Sequence, residues 1–159
     1  MCIRDRSWNG VTLSAGSSSI MLKVTDAAGN DSSLSFQNYT LDTTAPNTTV
    51  TTAAFSNDSG SSSTDFVTNV ASQTISGTLS GNLAAGDKVY VSLDNGTTWA
   101  AATTSLNSWS LAGRTLTSSS TLKVKVIDTA GNEGAVLSQA YTYDTTASSI
   151  SFNLSLIHI

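Results

Sequence analysis

LKVKVIDTAGNEGAVLSQAYTYDTTA, residues 122–147, decides how the chain is read, because residues 20–45, IMLKVTDAAGNDSSLSFQNYTLDTTA, are a near copy of it. Asp26 and Asp128, Gly29 and Gly131, Asn30 and Asn132, Tyr39 and Tyr141, and Asp42 and Asp144 are all related by one step of 102 positions, with no insertion between them. A fixed period marks an array of like units. This step is too long for a solenoid repeat and suits one small domain per repeat.

The pattern inside the copied stretch is that of strands. Leu122, Val124 and Val126 alternate with polar residues, and a turn sequence, Asp-Thr-Ala-Gly-Asn, separates them from a second alternation that ends at Tyr141 and Tyr143. Working outward, residues 46–147 read as one complete repeat. Strands are expected at 48–52, 73–80, 88–93, 98–102, 109–111, 121–127 and 137–143, with a long surface loop at 56–65. About seven short strands with turn signals every 8 to 12 residues, in about 100 residues, describe an all-β chain of immunoglobulin-like β-sandwich repeats. Trp99, Trp109, Tyr141 and Tyr143 are expected to supply the bulk of its core.

The flanks are incomplete. Residues 7–45 correspond to the carboxyl part of a first repeat, and their apolar positions, Trp8, Val11, Leu13, Ile20, Leu22, Val24, Phe36, Tyr39 and Leu41, predict about three strands. Three strands are too few to close a sandwich around their own core, so this piece is expected to be poorly ordered or to borrow packing from its neighbour. Residues 148–154 open a third repeat with nothing to pack on. Residues 1–6 (MCIRDR) and 155–159 (SLIHI) match nothing in the repeat and resemble translated adaptor sequence, so they are read as non-native ends. With them go Cys2 and His158, the single cysteine and histidine.

Composition narrows the function. Ser and Thr make up roughly a third of the chain, and charged residues only 11%. Seven Lys and Arg, scattered, with a net charge of −4, give no basic face for nucleic acid. No apolar run reaches the roughly 18 residues of a membrane span, so no membrane insertion is expected. Many serines are present, but no histidine lies inside the fold to activate one, and the single glutamate, Glu133, sits in a turn, so no enzyme is expected. Lys123 and Lys125 are expected on the solvated face of a sheet.

DTTAP at 42–46, SLDNGTTW at 92–99, the strand around Trp109, KVIDTAGN at 125–132 and DTTA at 144–147, in that order, resemble the tandem bacterial Ig-like domains of giant surface adhesins and biofilm-associated proteins. The resemblance covers nearly all of the chain outside its ends. It implies a rod of repeated sandwiches, extracellular or on the bacterial cell surface, that holds a terminal adhesive domain away from the cell. Its partners would be the neighbouring repeats of the same chain, and calcium between repeats would stiffen the rod.

In a sandwich of this topology the linker from the previous repeat, the turn around Asp87 and the turn around Asp128 lie at one end. Asp42, Asp87, Asp128 and Asn132 are therefore expected to converge there as ligands of an inter-repeat Ca²⁺, with Asp144 in the corresponding place at the next junction. Calcium takes six to eight oxygens at about 2.3–2.6 Å, so backbone carbonyls and water would have to complete the set. A plainer reading stands beside it. Asp-x-Ala-Gly-Asn is a good turn on its own, and Asp-Thr-Thr can end a strand by bonding its own backbone.

SLDNGTTW also matches the Asp-box of propeller enzymes, but a propeller needs one box per blade of about 40 to 50 residues. A hairpin is expected instead, with Asn95 and Gly96 in the turn, Asp94 capping its amides and Trp99 covering them. The sequence thus points to a non-enzymatic spacer of a repetitive adhesin. The alternative is a carbohydrate-binding accessory module of an extracellular glycosidase, which requires Trp8, Trp99 or Trp109 to be exposed as a stacking platform.

Overall fold

The computed structural model describes residues 9–152, in two compact units that divide between Ala45 and Pro46. The two suspect ends, with Cys2 and His158, and also Trp8, lie outside the described residues.

The first unit is a hairpin. β1 (Gly16–Leu22) pairs antiparallel with β2 (Ser35–Leu41), from Gly16 opposite Leu41 to Leu22 opposite Ser35. A bridge from Thr25 to Asp31 carries the pairing to the turn. Two strands form here instead of three, because the residues around Val11 and Leu13 remain irregular. No residue from 9 to 45 is buried, as expected where two strands have no opposing layer.

The second unit holds nine strands in two sheets. They are β3 (Ala54–Phe55), β4 (Val67–Thr68), β5 (Ser72–Thr78), β6 (Lys88–Ser92), β7 (Ala100–Ala101), β8 (Thr103–Ser105), β9 (Ser108–Thr115), β10 (Ser120–Ile127) and β11 (Leu137–Tyr143). One sheet runs β4-β11-β10-β6-β7 and the other β3-β5-β9-β8. All pairings are antiparallel except β4 with β11. The chain crosses between sheets after β3, β4, β5, β7 and β9, so strands from all along the unit contribute to both layers. This is the expected immunoglobulin-like sandwich.

Period-two alternation becomes burial. Ile75, Val89, Leu122 and Val124 have no exposed surface, and Val91, Trp109, Val126 and Tyr141 complete the centre of the core. Trp109 and Tyr141 are core residues as anticipated, Tyr143 packs against the core half-buried, and Trp99 lies outside it. Gly77 makes the packing possible, since a Cβ there would lie 1.9 Å from the Thr52 carbonyl oxygen and 2.8 Å from the Trp109 ring.

Two local expectations are corrected. Residues 48–52 form no continuous strand; only Val50 bridges to Leu79, with threonine hydroxyls of Thr51 and Thr52 bonded to that of Thr78, and regular pairing starts at β3. The segment 56–65 is the expected surface loop, and its flanks are anchored, since Phe55 meets the Phe66 and Tyr141 rings edge-on, at 5.1 and 5.5 Å. Phe66 adopts a φ of 62°, an unusual choice for an aromatic residue, and its N–H donates to Asp58 Oδ2 at 2.9 Å. Lone aromatics after a polar run carry no periodicity, which is why pattern reading passes over them.

The second correction concerns Lys125. It is 7% exposed rather than solvated, because its ammonium pairs with Glu133 at 2.5 Å and lies 4.2 Å from the centre of the Trp99 ring. Lys and Arg carry apolar stems that pack while the charge finds a partner, so alternation alone misplaces them.

Candidate functional site

The end of the second unit where the chain enters is built from two turns. Lys88 pairs with Ile127, so the residues just beyond, Asp87 and Asp128, end neighbouring strands on the same side. The turns are in contact, since a Cβ on Gly86 would meet Thr129 Cγ2 at 2.3 Å. Pro46, the first residue of the unit, lies against Gly134 on the far side of the Asp128 turn, where a Cβ would come within 3.2 Å of the proline ring. Linker exit and both turns therefore share one end.

Within its turn Asp128 is heavily used. Oδ1 accepts from the Ala130 and Asn132 N–H groups at 2.9 and 2.8 Å, and Oδ2 from the Asn132 side-chain amide at 2.8 Å. The Asn132 amide, then the backbone donors, hold this carboxyl below its usual range. Gly131, at a φ of 94°, closes the loop in a conformation that L-residues avoid. The first unit repeats the arrangement: Asp26 accepts from Ala28 and Asn30 N–H and from the Asn30 side chain, each at 2.9 Å, and its carboxyl is lowered for the same reason.

The Asp-Thr-Thr segments repeat too. Asp42 Oδ1 accepts from Thr44 N–H at 2.9 Å and Asp144 Oδ1 from Thr146 N–H at 2.8 Å. Both aspartates thus terminate their strands as short-range caps.

As a test of calcium, these bonds matter. A carboxylate offers about four lone-pair sites, and Asp128 spends three of them inside its own turn. No group of three His, Cys, Asp or Glu side chains among the described residues is placed to hold a metal. Asp87, Asp128 and Asn132 are brought to one end of the second unit.

A second arrangement lies in SLDNGTTW. Asn95 and Gly96, with φ of 58° and 94°, form the two-residue core of the turn between β6 and β7. Asp94 Oδ1 accepts from Ser92 Oγ at 2.7 Å and Thr98 N–H at 2.8 Å, while Oδ2 accepts from Thr98 Oγ1 at 2.6 Å. Thr98, through hydroxyl and amide, and then Ser92 bring this carboxyl down to about 2. Trp99 Nε1 donates to the Gly96 carbonyl at 3.0 Å, so the indole is fastened over the turn. A cavity of about 410 Å³ opens beside it, lined by Asp94, Trp99, Arg114 and Tyr141 among others.

The model of the family described as "Bacterial Ig-like domain" matches residues 44–145, most of the chain and all the strands of the second unit. The chain belongs to the bacterial Ig-like domain family. No curated protein matches it. Bacterial Ig-like domains are typically extracellular or surface-exposed, structural and generally non-catalytic. Among the described residues, no helix is long and apolar enough to cross a membrane.

In this bacterial Ig-like domain, pattern reading missed the trio Lys125, Glu133 and Trp99. The signal was present: Lys23 and Asp31 stand one step of 102 upstream and form the same pair, at 2.6 Å, in the first unit. A lysine and an acid kept eight residues apart in both copies identify an ion pair across the turn that no motif would flag.

Proposed function

We propose that the chain is a structural spacer of a repetitive bacterial adhesin, at the cell surface or secreted, with neighbouring Ig-like repeats as its partners and no enzymatic activity. One observation carries this reading. The turn, the ion pair and the Asp-Thr-Thr cap recur in both units at a single sequence step, so what is kept is the part that ends one repeat and leads to the next. The direct test is replacement of the repeat, in a parent adhesin, by an unrelated sandwich of equal length. Adhesion should survive replacement and fail on deletion; loss on replacement would show that the domain binds something itself.

We further propose calcium at the junction, with Asp42, Asp87, Asp128 and Asn132 contributing and Asp144 serving the next junction. The shared end of the Asp87 and Asp128 turns supports this, and the carboxylates bonded into their own turns weigh against it. Bound calcium would supply a fixed link between linker and turns, which removes bending freedom. Calorimetric titration, with scattering in calcium and in chelator, decides it. No heat and no change in flexibility would remove calcium while leaving the spacer role intact.

The carbohydrate-binding alternative finds less support. Trp109 is 2% exposed, and Trp99 has its indole N–H bonded and Lys125 over its ring.

A further inference from the structure

Strand β9 carries a bulge. Ile75 faces Leu111 and Gln73 faces Arg114, so between these pairs the single residue Thr74 opposes two, Ala112 and Gly113, the latter at a φ of 68°. A bulge re-aims the side chains beyond it. Here it brings Arg114, rather than its neighbour, onto the inward side with Leu111 and Gln73, which are 7% and 2% exposed. An arginine is thus turned toward the space between the sheets, where it lines the cavity of about 410 Å³ together with Asp94 and Tyr141.

The charge of this arginine is unanswered. Arg114 Nε is buried and has no hydrogen-bond partner among the described residues, and neither of their ion pairs involves Arg114. The acceptors around it are already taken: Gln73 is bonded to Asn57 and to the Val70 carbonyl, and Asp94 accepts from Ser92 and, twice, from Thr98. A buried polar atom on a cationic group is unfavourable without an acceptor nearby. We propose that the cavity is a binding site for the carboxylate of a small hydroxylated acid, the chemistry of an acidic sugar. With Nε enclosed by protein, the guanidinium is fixed at its base, and its terminal nitrogens are the ones that take the two carboxylate oxygens. Val91 and Leu111 supply apolar surface, Thr117 and Ser118 supply hydroxyls, and Asp94 Oδ2 keeps a lone pair for a ligand hydroxyl. The volume, about 410 Å³, suits a small molecule.

This cavity lies within the complete repeat and away from the linker. Sheet order puts β7 at the edge opposite β4, with β6 beside it, and the chain leaves along β4, where Asp144 N–H donates to the Thr68 carbonyl at 3.0 Å. Nor is the arginine a mark of the repeat, since Thr12 stands one step of 102 before Arg114. No tryptophan platform is needed, and the spacer role stands whether or not the cavity binds an acid.

The test titrates the full chain, isotope-labelled for NMR, with D-glucuronate, with acetate and with D-glucose. Glucuronate should shift the amides of 92–100 and 112–118 and leave those of β1 and β2 unmoved. Acetate, a carboxylate without hydroxyls, should bind more weakly, and glucose, with hydroxyls but no carboxylate, should shift nothing. Arg114→Met should weaken glucuronate binding at least about tenfold, the contribution of a charged hydrogen bond. Arg114→Lys keeps the charge but not the fork and should retain part of the affinity. Methionine also removes an unpaired charge, so the unfolding midpoint without ligand should hold or rise. A galacturonate trimer separates two sources of the same chemistry: binding like the monomer marks the end of an acidic chain, and failure to bind marks a free acid. No shift with glucuronate at about 10 mM, equal shifts with glucose, or unchanged glucuronate binding in Arg114→Met would overturn the proposal.

Discussion

Two hairpins of this chain, β1–β2 and β10–β11, share a sequence pattern, a strand register, an aspartate-centred turn and an ion pair, yet the first buries no residue while the second gives Leu122, Val124, Val126 and Tyr141 to the core. Local structure is thus independent of burial here. What separates them is the opposing layer, β3-β5-β9-β8, and the β6 neighbour. The turn and the cross-strand bonds form from nearby residues alone. The hydrophobic contribution, about 25 cal/mol for each Å² of apolar surface removed from water, is available only where a second sheet exists.

The difference should be largest for apolar truncation. Leu122→Ala, at a position with no exposure, should destabilise the second unit by about 2–5 kcal/mol in urea unfolding. Ile20→Ala, its match at 36% exposure, should change the unfolding free energy by less than about 0.5 kcal/mol. Equal losses would mean that the hairpins are equivalent and the comparison is wrong. Next in size is Gly77→Ala. The added methyl has no room between Thr52 and Trp109, and about 1–3 kcal/mol should be lost as the strands part. A neutral outcome would show that this packing yields easily.

The ion pairs sharpen the comparison further. Glu133→Gln leaves the Lys125 ammonium under Trp99 without its counter-charge. Glu133 is 56% exposed, so water screens much of the loss, and about 1 kcal/mol is expected rather than the 3–5 of a fully buried pair. Asp31→Asn breaks a pair exposed on both sides and should be close to silent. Comparable effects would show that Trp99 does nothing to isolate Lys125.

The smallest effect is acid sensitivity. Asp94, Asp128 and Asp26 have folded pKa values below the ordinary 3.8, Asp94 at about 2. Each therefore contributes stability that is complete above pH 3.8 and is lost as pH falls through the folded value. The unfolding midpoint should decline between pH 4 and pH 2, and Asp94→Asn should flatten that decline. An unchanged slope in the variant would assign the acid response to other groups.

How much of this was legible from residues alone follows the same division. The strands at 88–92, 120–127 and 137–143 and the Asn95–Gly96 turn were readable, because alternation and turn chemistry are local. The Phe66 anchor, the broken edge at 48–52 and the burial of Lys125 were not, since each depends on residues distant in the chain: Thr142, whose N–H donates to the Phe66 carbonyl, Thr78 and Trp99. At the entry end, the neighbouring placement of Asp87 and Asp128 followed from strand order. That Asp128 would spend its lone pairs within its own turn depended on side-chain geometry no pattern encodes.

By itself, then, the sequence determined the repeat step, the longer strands at 88–92, 120–127 and 137–143, and the turns beside them, because adjacent residues and a two-residue period suffice for these. Only the tertiary structure decided which of two matching hairpins becomes core. It also decided that a lysine in a strand can be a buried partner of tryptophan and glutamate. Burial requires a second layer and a neighbouring strand to be present together, and no stretch of residues can state that for itself.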